Sequence, residues 1–140
     1  NQCFKKPLSP SEEKELLLKD LCCRLPYGVL IQEKCLENNE MFLPSVETDK
    51  LVNIDVDAEI LITNGGSRYH LDEVKPYLFP FSTSFTLDQR IECSKTLIIF
   101  DESHCSQTPE TYDWYNKNHF DYRYLIEKGL AVDATNLNIY

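Results

Sequence analysis

The sequence predicts an α+β fold, with an N-terminal helix, a small antiparallel SH3-like sheet and a C-terminal helical pair packed on it. Three observations carry this expectation. A capped, amphipathic segment occupies residues 9–25, and short β-prone runs crowd residues 27–71. Residues 108–129 then hold six aromatic residues, including the only Trp, between clear helix start and stop signals. A chain of 140 residues suits one domain, 1–140, large enough to bury a core without metals or disulfides.

Residues 1–8 are expected to be disordered. Ser9 and Glu12 form a capping box, in which each side chain satisfies the other's spare backbone N–H. Pro10 stands at the first helical position, where its missing N–H costs nothing. Glu12, Glu13 and Glu15 meet the positive end of the helix dipole. Leu17, Leu18, Leu21, Cys22 and Leu25 recur at helical spacing as one apolar stripe, and Pro26 ends the helix.

From Tyr27 the period shortens. Residues 27–32 read as a strand and 33–40 as a polar connector. Met41–Val46 is an edge strand, interrupted by Pro44. Leu51–Val56, Ala58–Thr63 and Ser67–Leu71 complete the sheet. Asn64-Gly65 predicts a type I′ hairpin turn, whose two central residues both need positive φ. Asp55, Asp57 and Glu59 alternate as an extended run would, placing three acids on one solvated face.

Residues 72–107 read as a connector with one strand. Asp72–Phe81 contains two prolines and is expected to leave the sheet as a turn and an extended strip. Thr86 caps a short helix through Ser94, Thr96–Phe100 is a buried strand, and Asp101–Gln107 a polar loop. Thr108, followed by Pro109 and Glu110, caps a helix to about Asn118. Asp121 caps a second one through Lys128, with Gly129 just past its end.

The formal net charge is −9, and residues 31–75 carry ten acidic groups against four basic ones. Phosphate binding needs clustered Lys and Arg, so double-stranded nucleic acid is a poor partner. Acidity serves solubility first; the sharper alternative is an inhibitor whose acidic face mimics nucleic acid. No run reaches the roughly 20 apolar residues of a membrane helix, and the first residues lack a signal-peptide core. Six cysteines include no C-x-x-C pair, and adjacent Cys22 and Cys23 sit in an apolar helical pattern. The thiols are therefore expected to be reduced and the compartment cytoplasmic, with no metal or cofactor.

Chemistry has few candidates. His104-Cys105 follows Asp101-Glu102, but the spacing fits no metal template, and a solvated loop is the default. His119, two residues before Asp121, could act as a general base, yet its nucleophile would have to come from elsewhere in the fold. His70 reads as a half-exposed strand residue. The acidic run is not an EF-hand, and Asn64–Ser67 lacks the Lys of a phosphate loop. The aromatic block is the better site. Tyr112, Tyr115 and His119 share one helix face with Trp114 beside it, and Tyr124 lies off the Tyr122–Leu125–Ile126 stripe. An aromatic stripe at helical spacing is core first, closing the open side of the small sheet, but two short helices carry more rings than one stripe can bury. Trp114, Tyr115 and Tyr124, rimmed by Asp113, Lys117 and Arg123, are thus expected to form a partner-binding surface.

Three blocks, Leu16–Val29, Tyr69–Leu78 and Thr108–Ala134, resemble segments of short uncharacterised proteins of gut anaerobic bacteria and their phages or mobile elements. The resemblance implies a bacterial or phage origin and a cytoplasmic setting, and brings no catalytic or binding residue with it. The expected function is a non-enzymatic protein–protein interaction module, an accessory factor of such an element. The alternative class is a small hydrolase or ligand-binding enzyme using His119 or His104 and Cys105.

Overall fold

A computed structural model describes residues 8–33, 49–81 and 85–140. Helix α1 (Pro10–Arg24) starts on its capping box: Glu12 N–H donates to Ser9 Oγ at 3.2 Å, and Ser9 N–H to Glu12 Oε1 at 2.9 Å. A 3-10 turn, Leu25–Tyr27, follows, and Gly28 at φ 73° turns the chain into β1 (Leu30–Glu33). Next come β2 (Asp49–Asp55), β3 (Ile60–Thr63), β4 (Arg68–His70) and β5 (Val74–Pro80). The remaining elements are α2 (Leu87–Ser94), β6 (Ile98–Asp101), β7 (His104–Ser106), α3 (Pro109–Lys117), β8 (Phe120–Asp121) and β9 (Val132–Asp133). The expected connector beyond Glu33 and the expected strand Met41–Val46 lie outside the described residues, as do residues 1–7.

The α+β class is as expected, but the sheet is mixed. Its order is β4-β3-β2-β1-β5-β8, with β9 also on β5, and β8 and β9 both run parallel to β5. Parallel pairing needs a long crossover, which the chain supplies by passing through α2, the β6–β7 ribbon and α3. The path has two ends, β4 and β8, and among the described residues no pairing closes it into an SH3-like barrel.

Asp72–Phe81 does not leave the sheet. A 3-10 turn at Leu71–Glu73 reverses the chain, and β5 becomes the strand shared by β1, β8 and β9. Val74, Tyr77 and Leu78 are buried, and their apolar surface outweighs the donors lost at Pro76 and Pro80. Continuing the Ile31–Pro76 register would set Leu30 against Tyr77. There the Tyr140 hydroxyl bridges the strands, accepting from Leu30 N–H at 2.9 Å and donating to Tyr77 C=O at 2.8 Å.

Four segments depart from their local signals. At the β3–β4 turn only Gly66 has positive φ, 89°. Gly66 N–H bonds Thr63 C=O and Thr63 N–H bonds Ser67 C=O, so the loop has three residues with glycine last, in place of a type I′ pair. Strand β2 ends at Asp55, whose carboxylate accepts from Ala58 N–H at 3.1 Å; residues 56–59 are a turn, and the three acids share no strand face. Residues 121–128 form turns instead of a second helix. Asp121 ends β8 and caps no helix: its carboxylate accepts from Leu125 and Ile126 N–H at 2.8 Å each, four and five residues on, and Tyr124 at φ 59° breaks the helical path. Finally, Cys22 is exposed, and the buried face of α1 is Leu17, Asp20, Leu21 and Arg24.

The core divides in two. Leu17 and Leu21 of α1 pack with Ile31, Leu51, Leu61 and Leu78 from the sheet. A second cluster joins Cys93, Trp114, Tyr115 and Phe120 to Phe79, Phe81, Phe85 and Tyr122. Burying each such side chain is worth about 1.5–3 kcal/mol.

Candidate functional site

The second core decides the fate of the aromatic block. Helix α3 is fixed at its start by a threonine knot: Thr108 Oγ1 and Thr111 Oγ1 both donate to Thr96 C=O, at 2.7 and 3.0 Å. This sets Trp114 and Tyr115 inward. Trp114 is only 9% exposed; its ring stacks on Phe120 at 5.5 Å and its indole N–H donates to Glu92 Oε1 at 2.8 Å. Tyr115 is 4% exposed and its hydroxyl accepts from Gln107 Nε2 at 3.1 Å. Neither belongs to a surface. The surplus of rings is absorbed by Phe79, Phe81 and Phe85, which come from β5 and the approach to α2. Of the expected contact residues, Tyr124 and Lys117 remain exposed, while Arg123 is drawn inward.

Arg123 belongs to a buried ion cluster. Asp20 and Arg24 are both fully buried, and Arg24 Nε donates to Asp20 Oδ2 at 2.7 Å. Arg24 Nη2 also reaches Asp20 Oδ1 at 3.1 Å and Phe120 C=O at 2.7 Å. Arg123 Nη1 donates to Asp20 Oδ1 at 2.8 Å, and its guanidinium lies 4.7 Å from the Tyr122 ring centre. The cluster ties α1 to the segment after α3. Its signal in the sequence is the i,i+4 pair Asp20–Arg24, interleaved with Leu17 and Leu21 on one helix face.

His119 borders this cluster. Its ring stacks on Tyr140 at 3.7 Å and 14°, and its Nδ1 has no hydrogen-bond partner among the described residues. Burial, and then the charge of Arg24, lowers its pKa to about 4, so the ring is neutral near pH 7. It works as a packed interior group. His104 is different: on the β6–β7 ribbon its Nδ1 lies 2.8 Å from Asp101 Oδ1, and the two are exposed with Cys105 beside them. The bond from His104 holds the Asp101 carboxyl below its ordinary range. His70 is exposed on β4. Among the described residues no group of three His, Cys, Asp or Glu side chains could hold a metal ion, and Cys22, Cys23, Cys93 and Cys105 are free thiols.

The ribbon was expected to be a buried strand followed by a loop. Instead, among the described residues, β6 and β7 pair only with each other, as a separate two-stranded sheet. Ile98, Ile99 and Phe100 are 51%, 64% and 67% exposed. On the preceding helix, Leu87 and Ile91, one turn apart, are 73% and 50% exposed. Residues 87–100 therefore present five large apolar side chains to solvent. The only hint in the sequence was the polar run after Phe100, which leaves β6 with a partner strand too hydrophilic to sit in a core.

Comparison with protein-family models, with curated proteins and with solved structures finds no match for this chain. Among the described residues no helix is long and apolar enough to cross a membrane.

Proposed function

We propose that this chain is a non-enzymatic protein–protein interaction module whose contact surface is the β6–β7 ribbon with the outer face of α2. One observation carries the reading: Ile98, Ile99 and Phe100, consecutive on a ribbon outside the main sheet, are all more than half exposed, so both faces of the strand present apolar surface. Large apolar side chains gathered at one exposed place mark interaction sites far more often than single ones do. The ribbon is also held at its base. The threonine knot and the Trp114–Glu92 bond tie its flanks to α3, so the surface is presented without first having to be ordered. Tyr124 and Lys117 form at most an outlying part of the contact.

The setting that fits is a cytoplasmic accessory factor of a bacterial phage or mobile element, as the three resembling blocks imply. The test is capture from a bacterial lysate by the tagged full chain, with the bound proteins identified by mass spectrometry. Ile99→Asp and Phe100→Asp are expected to reduce recovery of the partner at least tenfold, and Tyr124→Ala to leave it within twofold. Equal recovery by all the variants would remove the ribbon from the contact.

A further inference from the structure

Resting on the reading just given, we propose that the partner docks as a short extended strand along the free edge of β6, and that this strand alternates apolar with basic residues. Strand β6 spends one edge on β7, with Ile98 opposite Ser106, Ile99 opposite Cys105 and Asp101 opposite His104. Its other edge has no pairing among the described residues. Such an edge offers a row of unpaired N–H and C=O groups to any extended chain that reaches it. A two-stranded ribbon is marginal by itself in water, and a third strand with apolar contacts completes it. Here the apolar side chains for that contact are already in place. The edge of Ile98–Asp101 carries no Pro or Lys; it is limited instead by its four-residue length, by Asp101 at its end and by the bulge at Phe100, which leave Ile98 and Ile99 as the open part. The register shift between Ile99 and Asp101 bends the edge, which is why the docked strand is short.

Charge selects the partner. Residues 87–110 carry five acids, Asp88, Glu92, Asp101, Glu102 and Glu110, against Arg90 and Lys95. A basic strand is steered towards this surface. A second copy would bring the same acids against it and add another −9, so edge-to-edge pairing of two copies is disfavoured. Main-chain bonds would supply affinity, and alternate side chains the specificity.

The test uses the full 15N-labelled chain and an eight-residue peptide alternating Val and Lys. Two controls accompany it, one with Glu replacing Lys and one with backbone N-methyl groups along a single edge. The expected result is chemical-shift change across residues 98–100 and slowed hydrogen exchange at those of their amides that face away from β7, with each control binding at least tenfold more weakly. Equal binding of the N-methylated peptide would overturn strand addition, and equal binding of the Glu peptide would overturn the charge rule. Concentration-dependent dimerisation that Phe100→Asp abolishes would replace the basic strand by a second copy. In each of these cases the ribbon stays the contact. If instead Phe100→Asp leaves partner capture unchanged, the interaction surface itself falls, whatever the peptides do.

Discussion

Arg24 joins α1 to the chain nearly a hundred residues later, and it does so from a fully buried position. The Asp20 carboxylate accepts from both Arg24 and Arg123, so losing the acid leaves two cations without it. Asp20→Ala is expected to cost about 3–5 kcal/mol, read from the midpoint of urea unfolding. Replacing Asp20 by Leu together with Arg24 by Met should recover part of that loss, because a packed apolar pair needs no desolvation of charge. His119 gives a pH dependence. Its folded pKa of about 4 lies below the ordinary 6.5, so the unfolded chain takes up the proton first. Stability therefore falls as pH drops from about 6.5 to about 4. Burial raises the Asp121 carboxyl, whose contribution has the opposite sign and grows as pH falls. The wild type minus His119→Gln difference in urea midpoint isolates the histidine, and a flat difference across that window would contradict its burial. The Asp20–Arg24 spacing is legible in the sequence. Its third member is not, because nothing local to Arg123 says which helix it will meet.

At the scale of elements, local signals hold wherever the chain satisfies its own backbone. Ser9, Thr86 and Thr108 all cap as expected, each through a reciprocal box. Ser9→Ala and Thr86→Ala should each cost about 1 kcal/mol in thermal or urea unfolding. Thr108→Ala should cost more than either, since its hydroxyl also holds Thr96. Residues 121–128 show where the same logic fails. The Asp121 carboxylate holds the turn at Leu125 and Ile126 and starts no helix, because its own backbone is paired with Pro80 of β5 and the left-handed Tyr124 stops propagation. For β6 and β5 the apolar pattern alone cannot say which run is covered. The structure makes the distinction measurable: Phe100→Ser should change stability by less than about 0.5 kcal/mol, as at other exposed positions. Leu61→Ala in β3 should cost about 2–5 kcal/mol. A large loss at Phe100 would mean that the ring is packed, and would remove the surface assigned to it.

Across the whole molecule, stability is unevenly spread. Strands β1 and β5 carry Ile31, Val74 and Leu78 of the leucine core, whereas the ribbon is exposed on both strands. Native-state hydrogen exchange should be slowest at Ile31, Leu61 and Leu78, and faster by several orders of magnitude along residues 98–106. By itself the sequence determined the α+β class, the three caps, the first helix and the short strands β1 to β4. These depend on interactions a few residues long, which spacing and residue type display directly. Only the tertiary structure decided that β5 is central, that β8 and β9 run parallel to it, that Trp114 and Tyr115 are core, and that Ile98, Ile99 and Phe100 are surface. Burial depends on which distant segment arrives to cover a side chain. Phe79, Phe81 and Phe85 arrive over Trp114 and Tyr115, and among the described residues nothing arrives over the ribbon.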